Sequence, residues 1–407
     1  MQSESPGTGT IIAPDELRRT RFAAVNLPWT ELWAARKFVI LHGQDIRCCD
    51  ALGWLVWTGV RWERDATGKI HHKAKDTIRR LYPLAGQIKD DDNRKAYLQF
   101  VMRLESRAKI DNLIALAQSE DGVPIRIEDL DRDPWLFNTL NGTIDLRTGE
   151  LKPHNPANLI TKLSPVAYDP NAKCPRYSKF VCEIFADDCE LEAFSDRAIG
   201  HALTGIVRDA VLHILFGEGL NGKTTLIELA LHIMGDYGMS AAPGLLIAKK
   251  HEQHPTELAD LRGMRFVASM ESTEGGRLNE ERVKRLTGSD TIKGRYMRQD
   301  FFSFEPTHKL FLATNHRPEI AGTDYAIWRR PKLWPFTVTF TEPAAPLNPK
   351  PGEKDDRLQE TLRDEAPGIL ARWVRGCLEW QRIGLNPPAS VLVLRHRCFE
   401  ELYWAFL

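Results

Sequence analysis

The chain has 407 residues, 43% of them hydrophobic and 27% charged, with Lys plus Arg and Asp plus Glu balanced at 55 each. This is globular composition with room for two or three domains, and zero net charge excludes a global field for a polyanion; nucleic-acid contact would need a local basic surface. Seven cysteines without a Cys-x-x-Cys point to reduced thiols, the spacing of Cys174, Cys182 and Cys189 does not suit a zinc finger, and no apolar run reaches membrane length, so a soluble cytosolic protein without a membrane partner is expected.

Residues 1–20 read as a polar tail, and 21–174 as a mixed α+β region. Within it, the glycine-bounded segment 53–62 with Trp54, Trp57 and Trp62 predicts a β-hairpin whose aromatic face packs on a small core or, alternatively, stacks bases. Residues 94–117 form a basic helical pattern with Leu98, Val101, Leu104 and Ala108 on one face. The Asn-Gly and Thr-Gly pairs of 141–151 signal a second hairpin. From 175 to 208 the apolar residues Phe180, Ile184, Phe185, Phe194, Ile199, Ala202 and Leu203 take helical spacing, which predicts a helical collar.

A predicted ATPase core runs over 209–341 and opens with the most informative segment of the chain. The apolar run 211–216 breaks into Gly217-Glu218-Gly219-Leu220-Asn221-Gly222-Lys223-Thr224-Thr225, a strand leading into a phosphate-binding loop. Glycines let backbone N–H groups close around phosphate, Lys223 reaches the β and γ oxygens, and Thr224 holds Mg²⁺. The following apolar stretch, Leu226, Leu229, Ala230 and Ile233, ends at Gly235. A helix there aims its N-terminus at the anion.

Hydrolysis also needs an acid near Mg²⁺, a sensor of the γ-phosphate and a cation for the transition state. Residues 265–271 read as a core strand ending in Glu271, the candidate acid and second metal ligand, with Glu274 in reserve. A second apolar strand over 309–314 leads to Asn315, whose amide can contact phosphate and position water. Arg329 and Arg330 precede the strand-like 332–336 and are arginine-finger candidates; solvated surface charge is the competing reading. Between acid and sensor, 283–304 is basic with aromatics, and a hairpin there would present Lys293, Arg295, Arg298 and Gln299 to a phosphate backbone, unless it is a solvated basic loop. A Pro-rich charged linker over 342–356 and a helical segment broken near Pro367 and Gly368 complete the chain, with Ile369, Leu370, Trp373, Cys377 and Trp380 as core candidates.

Taken in order, the glycine loop, the Glu271 strand, Arg277-Leu278-Asn279-Glu280 through Leu286-Thr287-Gly288-Ser289-Asp290, Ala313-Thr314-Asn315 and Ile327-Trp328-Arg329-Arg330 resemble superfamily 3 helicases. More narrowly, they are similar to the C-terminal helicase part of phage and plasmid primase-helicases related to those of poxviruses. Leu140-Asn141-Gly142, Asp145-Leu146, Ile160-Thr161 and Tyr168-Asp169-Pro170 extend the likeness over about residues 50–390. The resemblance implies an AAA+ type P-loop NTPase core with a parallel sheet, ATP and Mg²⁺ as cofactors, a homo-oligomeric ring that is usually a hexamer, and 3′ to 5′ translocation on single-stranded DNA during replication of a phage, prophage or plasmid in the bacterial cytoplasm. By position, Lys223 and Thr224 match the family's phosphate-loop pair, Glu271 its acidic strand end, Asn315 its sensor and Arg330, with Arg329 beside it, its finger. Arg298 and Gln299 fall near the tip of its DNA-binding hairpin, where the usual Lys is missing. A primase catalytic module and a C-terminal winged helix are not expected, so a separate primase or origin-binding partner is. The competing expectation is a nucleotide-dependent DNA-binding initiator or scaffold that does not unwind.

Overall fold

The computed structural model describes residues 21–25, 28–242, 244–248, 255–271, 276–298, 300–316, 318–320, 324–342 and 352–392. The chain divides into two compact units, 1–132 with 155–161, and 133–154 with 162–407. The first unit therefore stops well short of residue 174, where the sequence pattern had suggested an end.

In the first unit, α1 (Glu31–His42), β1 (Ile46–Cys49), β2 (Gly53–Trp57), β3 (Trp62–Arg64), α2 (Lys69–Leu81), α3 (Asp91–Leu104), α4 (Arg107–Ala117) and β4 (Pro124–Ile125) follow one another. The sheet order is β3-β2-β1-β4, antiparallel except for β4 beside β1. Side-chain caps start two of the helices: Thr30 Oγ1 accepts from Trp33 N at 3.1 Å, and Asp90 from Asn93 N at 2.8 Å. The segment 94–117 is two helices rather than one, because Ser106 takes an extended conformation (ψ 145°) and resets the helical phase. Ala108 consequently faces solvent instead of joining Val101 and Leu104 in the core. The tryptophan hairpin forms as predicted, and packing accounts for its aromatics. Trp62 is buried, its indole N–H donates to the Pro156 carbonyl at 2.9 Å, and the Arg47 guanidinium lies 4.9 Å from its ring centre.

The second unit opens with an antiparallel sheet of β5 (Leu136–Thr139), β6 (Gly142–Asp145) and β7 (Glu150–Lys152). Helices α5 (Pro175–Ile184) and α6 (Cys189–Leu203) follow, then β8 (Leu212–Phe216), α7 (Lys223–Met234), β9 (Gly238–Ser240), α8 (Pro255–Ala259), β10 (Phe266–Glu271) and α9 (Glu280–Thr287). After these come the pair β11 (Ile292–Gly294) and β12 (Phe302–Phe304), then β13 (Lys309–Thr314), α10 (Tyr325–Trp328), β14 (Pro331–Pro335), α11 (Leu358–Asp364) and α12 (Ala366–Ile383). Five strands form one parallel sheet in the order β14-β8-β13-β10-β9. Its central strands are nearly continuous hydrophobic runs, as a sheet covered on both faces requires.

The predicted collar and C-terminal segment are not separate layers. A Cβ on Gly200 of α6 would lie 2.4 Å from the Trp373 carbonyl oxygen of α12, and one on Gly376 of α12 would lie 2.2 Å from the Asp196 carbonyl oxygen. The two helices thus cross backbone to backbone, which only glycine permits. Arg372 Nε donates to Asp196 Oδ2 at 2.7 Å and the Trp373 indole to Tyr177 Oη at 3.0 Å. All five C-terminal core candidates are buried there, in one cluster with Phe180, Phe194 and the α7 residues Leu226 and Ile233. Glu365 breaks the C-terminal helical segment, and its carboxylate accepts the Arg176 and Tyr177 backbone N–H groups at 2.9 and 2.8 Å, capping α5.

Candidate functional site

Strand β8 ends at Phe216 and α7 begins at Lys223, so 217–222 is a tight strand-to-helix loop. The loop's shape explains its glycines unequally. A Cβ on Gly217 would sit 2.2 Å from the Phe336 carbonyl oxygen, and Gly222 has φ +86° with Ile184 Cγ2 2.6 Å from where its Cβ would be. Gly219 has open space, and Leu220 takes a left-handed φ of +55° with 54% of its surface exposed. Lys223 is buried, and its Nζ donates to the Gly217 carbonyl at 2.5 Å and to Asn221 Oδ1 at 2.9 Å. Burial pushes this ammonium down to about 8. Glu218 and Thr224 are exposed and Thr225 half-buried.

Register places the remaining predicted groups along the same sheet edge. Phe216 of β8 pairs with Thr314 of β13, and Thr314 with Glu271 of β10. The glycine loop, Asn315 and Glu271 therefore leave the carboxyl ends of three adjacent parallel strands, about 4.8 Å apart, where α/β sheets hold ligands. Lys223, Thr224, Thr225 and Asn315 line one cavity of about 470 Å³, a size suited to a small ligand. Glu271, at the end of the next strand, is not among the lining residues; its Oε1 accepts from Gly244 N at 2.6 Å and Ser269 Oγ at 3.2 Å. Glu274 and Gln299 lie outside the described residues.

The arginine pair lies at the opposite edge. Pro331 pairs with Leu212, the first residue of β8, and Leu212 N donates to the Arg330 carbonyl at 3.0 Å. Five residues of strand, about 16 Å, separate that point from the loop. Neither arginine serves its own chain's loop from there. Arg330 is buried, with Nε donating to Thr287 Oγ1 at 2.9 Å and Nη1 to the Ala326 carbonyl, whereas Arg329 is exposed. The predicted basic hairpin forms from β11 and β12, with Lys293 opposite Ser303. Gly294 packs on Ala259, and Lys293 and Arg295 lie 5.0 and 4.7 Å from the centre of the half-exposed Phe301 ring. Arg298 is exposed at the tip, with φ +60°.

The cavity's other wall was not foreseen. Arg176, Lys179 and Phe180 of α5 line it, as do Phe340, Glu353, Lys354, Asp355, Asp356, Leu358 and Gln359. Residues 352–356 are thus wall and not linker, because Thr341 N donates to the Gly352 carbonyl and Lys354 N to the Thr341 carbonyl at 2.9 and 2.8 Å. Pro and charge content hid this; a single Thr–Glu bridge has no periodicity to read.

Two family models match the chain, one described as D5 N terminal like over residues 35–186 and a family of unknown function, DUF5906, over residues 215–330. The chain is 26% identical over 281 residues to "Putative helicase L207/L206" of Acanthamoeba polyphaga mimivirus, covering 66% of this chain and 29% of that protein. It is 24% identical over 247 residues to "Putative primase C962R" of African swine fever virus, covering 58% and 26%. The chain spans less than a third of the length of these curated relatives. These relatives belong to eukaryotic viruses, although the motifs had pointed to a phage or plasmid protein in a bacterial host. Among solved structures, the A form apo structure of the NrS-1 C terminal region is similar in fold, with a TM-score of 0.55 at 12% identity, covering 92% of this chain and 75% of that one. Among the described residues no helix is long and apolar enough to cross a membrane. By its matched domains and its relatives, this chain is related to the primase-helicase family.

Proposed function

We propose that the chain is the ATP-driven motor of a ring-forming, single-stranded DNA helicase with an AAA+ type core. The observation that carries this reading is the convergence of the glycine loop, Asn315 and Glu271 on one edge of a parallel sheet, with Lys223 and Asn315 in one cavity. The loop fits a triphosphate: Gly217 is required by the close Phe336 carbonyl and Gly222 by its positive φ and the Ile184 side chain, Gly219 leaves space, and the Lys223 head group is held among loop acceptors that phosphate oxygens can replace. Thr224 would hold Mg²⁺, which neutralises charge on the β and γ oxygens when bound, with Glu271 as the acid beside it. Asn315 positions water against the γ-phosphate. Because the arginines stand about 16 Å of strand from their own loop, a finger from this pair acts in trans, and exposed Arg329 is the member free to do so. Lys293, Arg295 and Arg298 on the hairpin contact the single-stranded DNA.

The engagement of the Glu271 carboxylate by Gly244 and Ser269 favours a second reading, nucleotide binding without turnover. Strand displacement with ATP, wild type beside Lys223→Ala, tests the motor. ATP-dependent unwinding by wild type alone supports it, and nucleotide binding without hydrolysis or unwinding supports the second reading.

A further inference from the structure

The phosphate end of the cavity is marked by Lys223, Thr224 and Asn315, and the lining from Phe340, residues 353–356 and α11 differs from it in chemistry. Phe340 N donates to the Leu220 carbonyl at 2.7 Å, which holds the Phe340 ring beside the loop. Asp355 accepts from Arg176 Nη2 at 3.2 Å, and this ties the 352–356 segment to α5. On α11, Gln359 Nε2 donates to Glu228 Oε2 of α7 at 2.6 Å. Glu228 has no proton to give as a carboxylate, so the amide orientation is set; the Gln359 carbonyl oxygen is left buried and without a donor.

Three carboxylates, Glu353, Asp355 and Asp356, sit on this wall, and Lys354 is paired with Asp356 at 2.9 Å. Arg176, Lys179 and Lys354 line the same cavity and pair with Asp355, Glu183 and Asp356, so the charges on this wall largely cancel and it sets no strong field on a phosphate. What it offers instead is apolar surface from Phe340 and Leu358, and acceptors for hydroxyl and N–H groups. A nucleoside has that profile: an apolar base face, ribose hydroxyls and a base edge with N–H donors. We infer that Phe340, Leu358 and Gln359 form the nucleoside subsite of the cavity, with the Gln359 carbonyl accepting from an exocyclic amine of the base. The Lys223 ammonium orients the ligand, triphosphate toward the glycine loop and base toward the apolar and acceptor groups beside α11. This inference rests on the reading of the loop as a triphosphate site.

The test is equilibrium binding of ATP, inosine triphosphate and inorganic triphosphate to the full chain, in wild type, Phe340→Ala, Gln359→Ala and Lys223→Ala. Inorganic triphosphate has no nucleoside, and inosine carries a carbonyl where adenine carries its amine. Phe340→Ala is expected to weaken ATP at least about tenfold while leaving inorganic triphosphate within about twofold. Gln359→Ala, which removes no apolar wall, should erase the wild-type preference for ATP over inosine triphosphate. Lys223→Ala should weaken all three ligands together. Equal losses of ATP and inorganic triphosphate in Phe340→Ala, or an unchanged ATP to inosine ratio in Gln359→Ala, overturn the subsite. A wild type that binds neither ATP nor inorganic triphosphate removes the triphosphate site itself, and the subsite with it.

Discussion

The two edges of the parallel sheet each carry buried lysine, and the contrast between Lys223 and Lys309 shows what makes a cation available. Lys309 opens β13 at the edge away from the loop; its Nζ donates to the Thr204 carbonyl and, at 3.3 Å each, to Thr204 Oγ1 and the Thr307 carbonyl. Full burial holds it well below the ordinary lysine range, and it does not line the cavity beside the glycine loop. Lys223 also rests on carbonyls, yet it lines a cavity of about 470 Å³. Residue type and burial are shared. Only the space beside Lys223 allows a ligand to replace its partners.

Variants sharpen that contrast. Lys223→Ala should cut ATP turnover on the order of a hundredfold to a thousandfold, about 3–4 kcal/mol of transition-state stabilisation, with a urea midpoint close to wild type. Unchanged turnover in the purified variant removes the phosphate-loop assignment. Lys309→Met should do the reverse, lowering stability by about 2–3 kcal/mol because buried acceptors lose their donor, as read from urea unfolding. A midpoint equal to wild type would show that the Thr204 contacts carry no net stability.

The arginine pair divides in the same way. Arg330→Ala should cost about 2 kcal/mol of stability through its lost bonds to Thr287 and Ala326. Arg329→Ala should stay within about 0.5 kcal/mol and lose turnover, with partial rescue when mixed with Lys223→Ala, since a mixed interface pairs an intact loop with an intact finger. No rescue despite subunit exchange would make Arg329 plain surface charge. Within the loop, Gly222→Ala should destabilise by about 1–3 kcal/mol, from its positive φ and the Ile184 contact. Gly219→Ala should cost well under about 1 kcal/mol; equal midpoints for the two variants would contradict the loop geometry.

The smallest effect is a pH slope. Lys223 sits at about 8 in the folded chain against an ordinary 10.5. Between those values the unfolded lysine keeps a proton that the folded one has lost. This group's contribution to stability therefore rises as pH rises through that window, and the penalty of a buried charge is fully present below it. Bound triphosphate favours the charged form, so nucleotide affinity should fall above pH 8 by at most about tenfold per pH unit. Calorimetry in two buffers checks the accompanying proton uptake, and Lys223→Met should abolish both slopes.

Much of the candidate site was legible because its groups come from short local segments. The run from Leu212 to Met234 carries strand, loop and helix in one continuous stretch, and the candidate acid Glu271 and candidate sensor Asn315 each stand at the polar end of an apolar strand. The Phe340 and 352–359 wall was not legible, nor was the collar's union with the C-terminal helix. Gly200 and Gly376 look like ordinary helix-weakening residues until the two helices cross on them.

The order of the elements, the glycine loop and the identities of the candidate acid, sensor and basic hairpin can be read along the chain, since hydrophobic period and turn chemistry act between near neighbours. Which of two adjacent arginines is exposed, which of two buried lysines lines the loop cavity, and which residues complete that cavity are settled by long-range packing. Those outcomes depend on partners brought together from distant parts of the chain, such as Arg330 with Thr287 and Asp355 with Arg176, and no local pattern encodes them.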